Sequence, residues 1–259
     1  MDDTYQIYLN RVARLTLRDS YLSSLQHIQG SPKYSVRADG KPDPAPFPGY
    51  SVISPPAESD ALNTDFYQHL NQCQELLLSL LGPDLMVPVP QDSFHFTLAD
   101  LIWESAYQQA RQNPDFDEQL RSCIADSFGQ CASLAAGKPL SFEILGIIVR
   151  TRAIGVCLLP SDEDSYERLV AFRRAIYQNP ALMALGIEQQ YHFTAHITLG
   201  YFAPVSPELD RSALSAGLFD FNQRWLENSQ KFTVAQAQLR QFEDMTQYNR
   251  QPDWPVFTF

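Results

Sequence analysis

Phe94-His95-Phe96-Thr97-Leu98 and Ala195-His196-Ile197-Thr198-Leu199 are two runs of one pattern, 101 residues apart. Each is a His-x-Thr triplet among apolar residues. In an extended strand, residues two apart share a face. The spacing therefore sets an imidazole beside a hydroxyl, while Phe94, Phe96 and Leu98, or Ile197 and Leu199, turn to the other side. The apolar side suits a core, and the polar side needs water, a partner or a ligand. Two such strands facing one cleft would gather two imidazoles and two hydroxyls around a single anion.

Five histidines and ten threonines in 259 residues yield about 0.2 such triplets by chance. Three occur, the third being His192/Thr194, which overlaps the second in one predicted strand. A single triplet reads as a half-buried His in a strand that Thr favours. A pair, one in each half of the chain, reads as a site.

The length allows one large domain or two small ones, and 44% hydrophobic with 19% charged residues marks a globular chain. A net charge of −11 disfavours long or duplex nucleic acid held in a basic groove, but leaves room for a small anion held by a few local donors. Cys73, Cys123, Cys131 and Cys157 form no Cys-x-x-Cys pair and no zinc spacing with the histidines, so reduced thiols and a cytoplasmic location are expected. The acidic N-terminus does not read as a signal peptide, and no apolar run reaches membrane-spanning length.

Residues 3–29 read as one or two amphipathic helices ended by Gly30-Ser31-Pro32, with Arg11, Arg14 and Arg18 on a solvated face. They are expected to form an added N-terminal helical layer, 1–35, outside the catalytic unit. From residue 36 on, the pattern runs strand (50–54), helix (64–81, capped at Asn63), His-x-Thr strand (93–101), helix (115–135), then a hairpin of 140–149 and 153–159 turning at Arg150-Thr151-Arg152. A helix to about 178, a short helix near 181–186, the second His-x-Thr strand (191–202), a helix from Pro207 to about 227, a strand 231–242 and a last extended piece follow. The order strand, helix, His-x-Thr strand, helix, strand thus occurs twice, over 49–148 and 153–240. Two similar lobes sharing one cleft are expected.

The paired His-x-Thr motifs in this order resemble the 2H (two-histidine) phosphoesterase superfamily, which holds 2′,3′-cyclic nucleotide phosphodiesterases and 2′-5′ RNA ligase-like proteins. Asp39-Gly40 to Phe47-Pro48-Gly49, and Pro90-Gln91-Asp92-Ser93-Phe94-His95-Phe96-Thr97, resemble a poorly characterised branch of it. The likeness spans about residues 36–245. It implies a bilobal α+β fold with two pseudo-symmetric antiparallel-sheet lobes flanked by helices. It also implies metal-independent phosphodiester chemistry without a cofactor, with His95 and His196 as the catalytic pair and Thr97 and Thr198 binding phosphate.

Such chemistry needs a water deprotonated, an alkoxide protonated and phosphate oxygens stabilised. A His of ordinary pKa near 6.5 does either proton transfer, and Thr hydroxyls donate to oxygen. Which His is the base is open, and reversal would make the site a ligase. His192 and Thr194 share the parity of His196 and Thr198 and are candidates for the same cleft, although a strand-edge His is the simpler reading of His192. Tyr201, Phe202 and Trp103 are candidates for stacking on a base. Tyr201 has the wrong parity unless the strand bends, so core packing is expected of it. Arg150 and Arg152 are candidates for an anion, with an exposed turn the simpler reading. His27 and His69 read as surface or packing residues.

The expected function is a phosphodiesterase acting on a small nucleotide or RNA end, with no long duplex and no membrane as partner. Two rivals are a non-catalytic nucleotide- or phosphate-binding module and a protein-interaction scaffold working through residues 1–35.

Overall fold

A computed structural model describes residues 3–37, 41–135, 137–225 and 230–259. Asp39-Gly40 and the expected end of the helix at 227 lie outside the described residues. The architecture is α+β, with two larger antiparallel sheets and helices on their outer faces.

Chain order explains the layers. Helices α1 (Tyr5–Ala13) and α2 (Arg18–Leu25) come first, then a two-stranded ribbon, β1 (Tyr34–Val36) and β2 (Pro42–Pro44). Strand β3 (Gly49–Ile53) leads to α3 (Thr64–Leu81), whose Phe66, Leu70, Cys73 and Leu77 recur at helical spacing and are all buried. Gly82, at φ +80, ends this helix where a residue with a Cβ would be strained. Asn63 does not cap the helix with its side chain as expected. Its amide donates to Asp60 Oδ2 (2.7 Å) and to the carbonyl of Thr233 (2.8 Å), so it ties the helix start to a distant strand instead.

After β4 (Met86–Pro88) comes the first motif strand, β5 (Thr97–Trp103), then α4 (Glu104–Ala110) and α5 (Phe116–Gln130). The predicted hairpin is present as β6 (Leu140–Val149) and β7 (Ala153–Pro160). Helices α6 (Glu163–Tyr177), capped by Asp162, and α7 (Pro180–Ala184) precede the second motif strand, β8 (His196–Phe202). Helix α8 (Arg211–Trp225) follows.

The strand expected over 231–242 is broken. Its first part, β9 (Lys231–Val234), pairs with β6, and its second, β10 (Gln236–Phe242), pairs with β3. The chain crosses between sheets at Ala235, so each part buries its apolar residues against a different layer. The last strand, β11 (Val256–Thr258), edges β10.

The sheet orders are β11-β10-β3-β5 and β4-β8-β7-β6-β9. In each, a strand–helix–strand unit (β3-α3-β5 or β7-α6-β8) forms a neighbouring antiparallel pair. The third strand is exchanged. β6, which closes the first copy in sequence, sits beside β7, while β10 from the second copy sits beside β3. Lobes and sequence copies therefore do not coincide. The aromatic side chains of Phe96, Phe142 and Phe232 meet in a core that spans both sheets.

The N-terminal segment packs inward. Tyr8 and Val12 are fully buried with Ile148, Cys157, Tyr166 and Val170, and Tyr21 donates to the carbonyl of Ile147 (2.7 Å). Among the described residues, no helix is long and apolar enough to cross a membrane.

Candidate active site

The first His-x-Thr triplet only enters regular strand at its Thr, whereas the second lies within β8 from its start. His95 precedes β5, in extended chain after the short turn Gln91–Ser93, and His196 is the first residue of β8. Ser54 extends the ladder to hold the first triplet, its N–H donating to the carbonyl of Phe96 and its Oγ accepting the Phe96 N–H (2.8 and 2.9 Å). Both triplets line one cleft of about 580 Å³, a size that suits a nucleotide-scale ligand. His95, Thr97, His196 and Thr198 all reach it.

The imidazoles are set in the same way. Nδ1 of His95 lies 2.7 Å from the carbonyl of Ser93, and Nδ1 of His196 lies 2.7 Å from the carbonyl of Thr194, each two residues back. A carbonyl only accepts, so each Nδ1 carries the proton and each Nε2 is left to act. Arg150 Nη1 donates to Nε2 of His196 at 3.2 Å. Burial pushes the pKa of His95 down from 6.5 to about 4, with Lys33 and Arg240 adding to the fall against the Ser93 bond. Burial pushes His196 down to about 3, with Arg150, His95 and Lys33 adding to it. Burial therefore favours the neutral form of both imidazoles near pH 7.

Matching β-bulges follow the two triplets. Opposite Val52 and Ile53, the β5 partners step from Ala99 to Thr97, which leaves Leu98 as the extra residue. Opposite Ile154 and Gly155, the β8 partners step from Gly200 to Thr198, which leaves Leu199 extra. A bulge shifts the alternation of faces by one. The third residue past each Thr, Asp100 or Tyr201, therefore turns into the cleft. A further step at Leu101 brings Trp103 there as well. Gly155 lies against the second bulge, where a Cβ would overlap the carbonyl of Ile197.

Several expectations need correction. Tyr201 is packed into the core as expected, but because the strand bends it also lines the cleft; Lys33 Nζ lies 3.3 Å from its hydroxyl and 4.9 Å from its ring centre. Arg150 and Arg152 form the expected turn, with Arg152 exposed, and both also line the cleft. His192 is exposed and absent from the lining, and Thr194 Oγ1 accepts from Arg11 (3.0 Å), because regular strand begins only at His196 and the parity argument fails before it. Arg11 accordingly does not sit on a solvated face. Phe202 is core, His27 is exposed, and His69 stacks on Trp225 (4.7 Å between centroids).

Four further lining residues, Lys33, Asp100, Tyr191 and Tyr248, were not among the candidates. Lys33 comes from the segment expected to stand outside the site. Asp100 accepts from the Tyr191 hydroxyl, and burial raises its carboxyl pKa although Lys33, Arg173 and Arg150 lower it. Tyr248 packs against His95 with its ring tilted, 4.1 Å between centroids. The recurrence of His-x-Thr-Leu at both sites was the readable signal for the bulges, and hence for Asp100; nothing local marks Tyr248. Among the described residues, no cluster of three or more His, Cys, Asp or Glu side chains is arranged to hold a metal ion.

No family model matches the sequence, and no curated protein matches it. Among solved structures, a conserved protein of unknown function from Agrobacterium tumefaciens is similar, with a TM-score of 0.53 and 17% identity over 89% of this chain and 96% of that one. Escherichia coli LigT, solved with 3′-AMP, aligns with a TM-score of 0.44 and 14% identity over 82% of this chain and 98% of that one. A structure described as a phosphoesterase aligns with a TM-score of 0.43 and 15% identity over 83% of this chain and 100% of that one. At these identities, the Agrobacterium protein speaks for a shared fold.

Proposed function

We propose that the cleft is a phosphodiesterase site for a small nucleotide or RNA end of the 2′,3′-cyclic phosphate type, working without a metal. One observation carries the reading: two imidazoles in one cleft, each with Nδ1 bonded to a backbone carbonyl and Nε2 left for proton transfer. One Nε2 takes a proton from water as the other protonates the leaving oxygen, each transfer contributing typically ~10²–10⁴-fold. Thr97 and Thr198 donate hydroxyls to phosphate oxygens, and Lys33, Arg150 and Arg152 supply positive charge. The acid must be charged, and the phosphate provides for that. Its anionic oxygens draw Arg150 off Nε2 and favour an imidazolium beside them.

The test is turnover of 2′,3′-cyclic nucleotides in EDTA. His95→Ala and His196→Ala are each expected to lower kcat by at least ~10²-fold. Turnover that survives both substitutions would sink the proposal.

A second reading is a phosphate-binding module without turnover, favoured by the burial that pushes both imidazoles toward the neutral form and so disfavours the acid that the reaction needs. Product binding with no hydrolysis across cyclic and linear substrates would select it.

A further inference from the structure

Helix α1 reaches the second motif with two polar side chains. Arg11 Nη1 donates to Thr194 Oγ1 (3.0 Å), and its Nη2 donates to the carbonyl of Phe193. The buried Tyr8 hydroxyl accepts the N–H of Ala195 (3.1 Å) and donates to the carbonyl of Leu158 (3.3 Å). Arg11 is itself held by Asp3 (2.8 Å), whose carbonyl accepts from Tyr166 (2.9 Å). Three consecutive residues, Phe193 to Ala195, are thus gripped from a helix more than 180 residues away in sequence. Within that stretch lies the Thr194 carbonyl that accepts from Nδ1 of His196.

The first motif lacks this arrangement. The Ser93 carbonyl that orients His95 belongs to a local turn, closed by Ser93 N–H and Oγ on the carbonyl of Pro90 (3.0 and 2.7 Å). The two histidines have matching geometry but different supports. That difference matters because no regular strand precedes His196. The ladder reaches back to the Ala195 carbonyl, which accepts from Leu158 N–H (2.9 Å). The Thr194 peptide one step earlier is therefore aimed by the α1 contacts, and cutting them loosens the acceptor that fixes the imidazole's tautomer.

We infer that Arg11 is a positioning residue for His196, acting through Thr194, and that the N-terminal helix is a working part of the second half-site. Its guanidinium fork suits the task, since two N–H groups fix two acceptors on adjacent residues at once. The consequence for catalysis rests on the acid–base role proposed above for His196. The positioning itself does not.

Ring-nitrogen NMR of the full chain, ¹⁵N-labelled, near pH 7.5 tests it. In the wild type both His95 and His196 should be Nδ1–H tautomers. In Arg11→Met and in Thr194→Val, the His196 nitrogens should shift toward a mixture of tautomers while His95 stays unchanged. The double variant should add little, since both changes cut one path. Arg11→Lys should restore part of the wild-type signal through the Phe193 carbonyl. His196 remaining Nδ1–H in both single variants, or His95 changing equally, would overturn the inference. Thr194→Val keeps the α1 contacts and the Phe193 bond, so it decides the matter if Arg11→Met does not fold. With a hydrolysed substrate in hand, Arg11→Met should lower kcat on the order of 10-fold at unchanged KM, as for other outer partners that hold a working histidine. A wild type that turns nothing over would remove the proposed function, and the NMR comparison would still stand or fall by itself.

Discussion

Each imidazole donates its Nδ1 proton to a carbonyl two residues back, and only His196 has a cation on its other nitrogen. That difference predicts how the two respond to one change. Arg150→Gln removes a positive charge from beside Nε2, so the pKa of His196 should rise from about 3. The charges that lower His95 are those of Lys33 and Arg240, so His95 should stay near 4. An NMR titration of both rings checks this, and equal movement of the two would refute it. The same depressed values carry a sign for stability. Both rings bind protons more weakly folded than unfolded, where the ordinary value is 6.5, so the unfolded chain takes up more protons as the pH falls. Their contribution is intact above pH 6.5 and is lost on acidification through about 4 and 3. Urea midpoints measured from pH 7.5 to 4.5 should fall less steeply for the His95→Gln/His196→Gln double variant than for the wild type. At this scale the sequence was most legible. His95, Thr97, His196 and Thr198 follow from the two-residue period of an extended chain. Arg150 and Lys33 needed neighbours that only the fold supplies.

At the scale of elements, the bulges decide what the cleft contains. Strict alternation would have sent Asp100 and Tyr201 away from it, and one extra leucine in each motif strand reverses that. A bulge on β6, away from the cleft, serves packing. On β6 the partners step from Gly146 to Ile144 opposite Cys157 and Leu158, with Gly146 at φ +145. Asn222 of α8 fills the space a Cβ would take, and its Oδ1 accepts the Ile147 N–H at 2.9 Å. Asn222→Ala leaves that buried N–H without an acceptor, at a cost of about 1–3 kcal/mol. Urea denaturation should read this as a lower midpoint at unchanged slope, and a midpoint within error of the wild type would show the bond to be dispensable. The helices 64–81 and 163–177 and the hairpin at Arg150 were readable because each carries its own period and punctuation. The break at Ala235 leaves only a change of phase, from Phe232 and Val234 to Ala237 and Leu239, which a bulge in one strand would also give, and only the presence of two sheets divides it.

For the whole molecule, the exchanged third strands make each half depend on the other. The first sheet needs β10 from the second half, and the second sheet needs β6 from the first. Residues 1–151 and 152–259 expressed separately should therefore fail to fold, since each would expose an unpaired sheet edge and half of a shared core. Mixed together, they should recover the circular dichroism of the intact chain. A well-dispersed NMR spectrum from either half alone would refute this. Charge also acts at this scale. The chain carries −11 overall, yet the cleft gathers Lys33, Arg150 and Arg152 beside Asp100 and Glu104, so under the proposed function a small phosphate is expected to bind in preference to a long polyanion.

The sequence by itself determined the class of fold, the paired motifs and the residue types they bring together, because strand and helix periods are local properties that survive without tertiary contacts. The tertiary structure alone decided that Arg11 and Tyr8 brace the second motif, that Lys33 and Tyr248 wall the cleft, and that the lobes trade strands. Those outcomes depend on which surfaces meet once the core has closed, and no short-range pattern encodes them.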